Sequence, residues 1–261
     1  MELDDAYANA AHIPNAESIL AHIIGQSATF RAKGGDRAHL GLSYGDTPRQ
    51  VFDFFLPPQD PKGTVIFIHG GYWRAFDQSS FCYLAAGALA HGWAVAMPSY
   101  DLCPDVTIAD ITRQIALAVR AIADKTSGPI SITGHSAGGH LAARMLDRDL
   151  IPETVARRLK SVIPISALSD LRPLLRTSMN EDFKMDEQAA IDESPIMMTN
   201  RHTVPVMVWV GGAERPAFLD QARWLSDAWA ADLVIAPEKH HFDVIDALSD
   251  PKSDLIRRLV T

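Results

Sequence analysis

Cysteine is scarce in this chain: Cys82 and Cys103 are the only two among 261 residues. Two thiols make no disulfide framework, and their separation lacks the paired spacing of a zinc site, so no metal is expected. Long apolar runs are also missing. None approaches the roughly 20 residues that span a bilayer, so no membrane role is expected. Positive charge is outweighed, with 24 Lys and Arg against 32 Asp and Glu and a net charge of -8. That balance argues against nucleic acid or an anionic membrane surface as the main partner. The start, Met1-Glu2-Leu3-Asp4-Asp5, is acidic and lacks the basic and then apolar regions of a signal peptide. These absences make a cytoplasmic protein with a small-molecule substrate the expectation, and they leave a homodimer open.

Apolar residues make up 47% of the chain, and its length suits one α/β domain with a large core. No repeat or low-complexity segment divides it. Residues 1–30 look helical in part. Strands are expected at Gln50–Leu56, Thr64–Ile68, Trp93–Met97, Pro129–Thr133, Ser161–Ile165, Pro205–Val210 and Leu233–Ile235. Pro164 weakens the case for a central strand there. Helices are expected over Phe81–His91, Ile108–Ala123, Leu141–Leu146, Ala217–Ala230 and Val244–Leu259. Alternating strands and helices imply a mostly parallel sheet covered on both faces. The segment of about 170–202, with methionines at 179, 185, 197 and 198, interrupts this rhythm and reads as a small helical cap.

Chemistry is concentrated in two glycine-flanked turns. Gly134-His135-Ser136-Ala137-Gly138 has the form Gly-x-Ser-x-Gly and lies between a β-rich run and a helix-compatible one. A nucleophile elbow needs that context, because the serine then sits on a sharp strand-to-helix turn with its hydroxyl presented at the sheet edge. Upstream, the strand Thr64–Ile68 ends in His69-Gly70-Gly71-Tyr72-Trp73. Glycines after a strand let successive N–H groups converge. The amides of Gly71 and Tyr72, helped by Gly70, would join that of Ala137 as donors to a developing oxyanion.

A serine nucleophile needs a histidine base and a carboxylate to orient it. After an elbow serine the acid and then the histidine follow in chain order. Glu214, just past the strand ending at Val210, is the first candidate for the acid. Asp220, within an expected helix, and Asp170, after an earlier strand, are the runners-up. His240 and His241 both fall after the last strand, and spacing alone does not choose between them. His69 and His135 read as braces of their own turns, and His140 as structural.

Taken together, these motifs resemble the α/β-hydrolase family of kynurenine formamidases, or arylformamidases, relatives of the hormone-sensitive-lipase-like esterases. His69-Gly70-Gly71-Tyr72-Trp73 fits that family's His-Gly-Gly-x-Trp signature, and Tyr100-Asp101-Leu102-Cys103-Pro104 resembles the segment after its next strand. Ser169–Leu174 and Glu193-Ser194-Pro195 resemble the ends of its cap. His241-Phe242-Asp243-Val244 resembles its catalytic-histidine region, which selects His241. The family generally carries aspartate as the acid, whereas this chain offers Glu214. The resemblance implies an α/β-hydrolase fold and a triad of Ser136, Glu214 and His241. It also implies hydrolysis of an N-formyl aryl amide such as N-formylkynurenine, without a cofactor. Tyr72 and Trp73 would stack on the aryl ring. A carboxylesterase for small acyl esters is the alternative, and a binding protein that has kept the fold without catalysis is a third reading.

Overall fold

The short apolar runs of the sequence assemble into an eight-stranded sheet in the computed structural model, which describes residues 1–261. In chain order the elements are α1 (Ala16–Lys33), β1 (Ala38–Ser43), β2 (Val51–Phe55), β3 (Thr64–Ile68), α2 (Ala85–Ala90), β4 (Ala94–Pro98), α3 (Ile108–Lys125), β5 (Ile130–His135) and α4 (Ala137–Arg144). There follow α5 (Glu153–Ala156), β6 (Leu159–Ile165), α6 (Asn180–Phe183), α7 (Glu187–Asp192), β7 (Met207–Gly211), α8 (Pro216–Trp229), β8 (Asp232–Ala236) and α9 (Asp254–Val260). The strands lie in the order β1-β2-β4-β3-β5-β6-β7-β8. The pairings of β2 with β1 and β4 are antiparallel and all others are parallel.

Strand alternation divides the core into two layers. In β3, Ile66 and Ile68 face one side and Val65 and Phe67 the other, as a period of two requires. The first layer packs against α3, α4 and α8, and the second against α1, α2 and α9. Burial of all five residues of β3 and of β4, and all six of β5, explains why those runs read as nearly continuous apolar sequence. The α3 helix starts at a capping box: Thr107 Oγ1 accepts from the Asp110 amide at 3.1 Å, and Asp110 accepts from the Thr107 amide at 3.0 Å. No helix is long and apolar enough to cross a membrane.

The structure differs from the sequence reading in four places. An edge strand, β1, precedes the first expected strand; its short apolar alternation, Ala38, Leu40 and Leu42, is interrupted by Gly41 and stays largely exposed. β6 is central despite Pro164. Val162 and Ser166 donate to the carbonyls of Pro205 and Trp209 at 3.0 and 2.7 Å, so position 164 aims the same way, toward β7, and the proline simply omits one bond of that ladder. The expected helix Val244–Leu259 is broken into a 3-10 turn over Val244–Leu248 and α9, because Pro251 cannot continue a helix and Ser253 caps a new one. Likewise Phe81–His91 begins as a 3-10 turn and becomes α-helical only at Ala85.

The cap segment consists of 3-10 turns and the short helices α6 and α7, and it is tied firmly to the body. Glu193 accepts from Thr112 at 2.7 Å, its carbonyl bonds His140 Nε2 at 2.7 Å, and the Pro195 carbonyl accepts from Trp229 at 3.1 Å. Of its four methionines only Met179 lines the large cavity; Met185 is core, and the Met198 thioether meets Arg144.

Candidate active site

All the predicted site residues stand at the carboxyl ends of parallel strands, where open α/β sheets place their clefts. Ser136 follows β5, the loop His69–Trp73 follows β3, Glu214 follows β7 and His241 follows β8. Ser136 has φ 57° and ψ -118°, the strained turn that lifts a nucleophile out of a strand. The turn closes only with glycine beside it: a Cβ on Gly138 would lie 2.0 Å from the Ile68 carbonyl oxygen. Gly71, at φ 100°, makes the corresponding bend in the facing loop.

Glu214 and His241 form a buried pair. The His241 ring donates from Nδ1 to Glu214 Oε2 at 2.6 Å, which leaves Nε2 to accept. The other carboxylate oxygen, Oε1, accepts from the Gly211 amide at 2.8 Å and from the Ser166 hydroxyl. Three donors on one carboxylate hold it in place. His241 is packed between the rings of His135 and Phe218, each with a centroid separation of 4.5 Å. The competitors are engaged elsewhere. Asp170 forms a two-pronged pair with Arg172 at 2.9 and 2.7 Å, and Asp220 bonds Arg223 on the surface. His240 Nδ1 caps its own turn through the amides of Phe242 and Asp243.

Ser136 and His241 line one cavity of about 880 Å³, together with Gly70, Gly71 and Tyr72. The amides of Gly71 and Tyr72 donate to no protein acceptor, and that of Ala137, opening α4, has no partner within its helix. Ser136 Oγ likewise engages no protein group; such bonds commonly tighten only around substrate.

The remaining motif residues brace this frame. His69 stacks on Tyr100 at 4.2 Å with the planes 8° apart, and the Tyr100 hydroxyl donates to the His69 carbonyl at 2.9 Å. Burial pulls His69 down to about 4 and His140 to about 3, and burial also depresses His135 beside His241. All three rings are therefore neutral supports near pH 7. Trp73 is a correction. It is wholly buried, set edge-on to His140 and Phe183, and lines no part of the cavity, so it supports the loop from beneath and does not meet an aryl ring. Tyr72 does line the cavity and donates to the Tyr7 carbonyl at 2.6 Å.

The sequence reading left one wall unassigned. Tyr7, Asn9, Ala10, Leu20 and Ile23 line the cavity, all from the first 30 residues, which carry no motif. Ser166 and Phe218, which hold Glu214 and His241, were not anticipated either. Their only signal is position, just past β6 and at the start of α8.

A family model described as BD-FAE matches residues 52–228. The chain belongs to the BD-FAE family. Its hydrolase character and α/β-hydrolase fold accord with the relatives it resembles. It is 27% identical to the kynurenine formamidase of Salmo salar over 96% of this chain and 91% of that protein, and 28% identical to that of Danio rerio over 93% and 88%. Among solved structures, a Silicibacter sp. TM1040 protein named provisionally as a thioesterase is 60% identical, with a TM-score of 0.99 and full coverage of both chains. Esterase B of Lactobacillus rhamnosis shares the fold at 17% identity, with a TM-score of 0.67 over 92% of this chain and 91% of that one.

Proposed function

We propose that the protein is a serine hydrolase that cleaves an N-formyl aryl amide, with N-formylkynurenine as the substrate. The observation that carries the reading is His241, held by Glu214 and opening with Ser136 into one cavity beside the unpaired amides of Gly71 and Tyr72. His241 Nε2 takes the Ser136 proton as Oγ bonds to the formyl carbon. The carbonyl oxygen, now negative, accepts from the amides of Gly71, Tyr72 and Ala137. Glu214 stabilises the imidazolium. Collapse breaks the C–N bond, and His241 returns its proton to the aniline nitrogen. Water, deprotonated by His241, then attacks the formyl ester and releases formate and Ser136. Support for the formamide comes from the formamidases that the chain resembles over most of its length. The cavity's aromatic lining, Tyr7, Tyr72, Phe76, Phe81 and Phe242, suits an aryl ring.

The same triad serves esters and thioesters, so the test is comparative. N-formylkynurenine, p-nitrophenyl acetate and a short acyl thioester are assayed with the wild type and Ser136→Ala. The expected result is Ser136-dependent release of kynurenine at a kcat/KM well above that of either ester. Ester or thioester turnover with negligible deformylation would retain the hydrolase and replace the substrate.

A further inference from the structure

The N-terminal segment is fixed beside the cavity by specific bonds to the body of the fold. The Tyr7 hydroxyl accepts from Gln221 at 3.0 Å, Asp5 pairs with Arg215 at 2.6 Å, and Asp4 accepts from the Ser178 amide at 2.6 Å. Asn9 is the exception. It lines the cavity, it is 7% exposed, and neither Nδ2 nor Oδ1 of its carboxamide has a hydrogen-bond partner. A buried amide left unmet costs stability, and an apolar side chain of the same size would not. The other fully buried polar side-chain atom without a partner on this cavity, His135 Nε2, adjoins Ser136 and belongs to the reaction centre, as do Ser136 Oγ and His241 Nε2. Asn9 lies outside that centre, with Arg74 and Asp182, paired at 2.6 Å, on the same cavity.

We propose that Asn9 is a specificity-determining residue that selects substrates bearing an α-amino-acid head group. Both atoms are buried beneath the cavity surface in this structure, so on binding the carboxamide rotates into the cavity, Oδ1 accepting from the ammonium and Nδ2 donating to the carboxylate. Arg74 and Asp182 supply the matching charges. The assignment rests on the reading above for the reacting end of the substrate and adds what holds the other end. A site whose polar group is left unpaired by a wrong ligand discriminates strongly against it.

Binding, without turnover, tests this. Kynurenine and 2-aminoacetophenone, the same aryl ketone without the amino-acid head, are titrated calorimetrically into the wild type and Asn9→Leu. The wild type is expected to bind kynurenine roughly tenfold to a hundredfold more tightly. Asn9→Leu should lose most of that preference while retaining its affinity for 2-aminoacetophenone. Its thermal midpoint should be unchanged or higher, because two unmet polar atoms are gone. Equal binding of both compounds by the wild type overturns the proposal. So does a preference that survives in Asn9→Leu, or a variant with a lowered midpoint and both affinities lost, which would make Asn9 structural. Head-group selection without deformylation would sink only the reaction proposed above, and deformylation without head-group selection would sink only the role of Asn9.

Discussion

Glu214 carries more of the site than a single bond to histidine. Its Oε1 gathers the Gly211 amide and the Ser166 hydroxyl, while Oε2 fixes the His241 tautomer. Glu214→Gln has a single oxygen, so either Nδ1 or the Gly211 and Ser166 donors must face an NH₂ group, and no negative charge remains. It is therefore expected to cut kcat by about four decades, roughly two fewer than Ser136→Ala. Steady-state ester kinetics measure both, and near-normal turnover in Glu214→Gln would move the orienting role to another acid. At this scale the sequence was legible wherever a residue sits in a motif or just after a strand. Ser136, Glu214 and the His240–His241 pair were singled out that way, family likeness chose His241, and the structure brings Ser136 and the Glu214–His241 pair together. Trp73 was misread because an aromatic beside a glycine loop has the same sequence signal whether it faces a ligand or fills the space beneath. Asn9 carried no signal at all, since being unpartnered is a property of packing.

Among the elements, the closest fit is between the elbow and β3. Gly138 presses on the Ile68 carbonyl at a distance that no Cβ tolerates, so Gly138→Ala must push α4 away from β3. We expect a loss at or above the upper end of the roughly 1–3 kcal/mol typical of overpacking, read as a lower urea midpoint with unchanged slope. An unaltered midpoint would mean that the elbow has slack. The buried parallel strands were the easiest elements to read, because burial on both faces writes an apolar run into the sequence. β1 was missed for the complementary reason: an edge strand buried on neither face carries only the brief stripe Ala38, Leu40 and Leu42, which makes no apolar run. The split of the last helix was readable at Pro251 and was overridden by the apolar periodicity on either side of it.

Considered whole, the molecule keeps three buried histidines uncharged. His69 is depressed to about 4 and His140 to about 3, with His135 lowered by the same burial. In the unfolded chain these rings bind protons near pH 6.5. Between that pH and the folded values the unfolded state holds more protons, so stability present near neutrality is lost as pH falls. His69 alone accounts for roughly 3 kcal/mol across this window. The thermal midpoint should decline from just below pH 6.5 toward 4, and a flat profile would contradict neutral burial.

The cavity wall also has a history in time. Asp4, Asp5 and Tyr7 are held by Ser178, Arg215 and Gln221, so the earliest residues of the chain dock onto some of the latest. Loops of that span close late, because their entropy must be overcome before the contact forms. A growing chain thus emerges with its serine turn well before it has either His241 or the partners that seat the far side of its cavity. Throughout that interval it carries an open apolar trough.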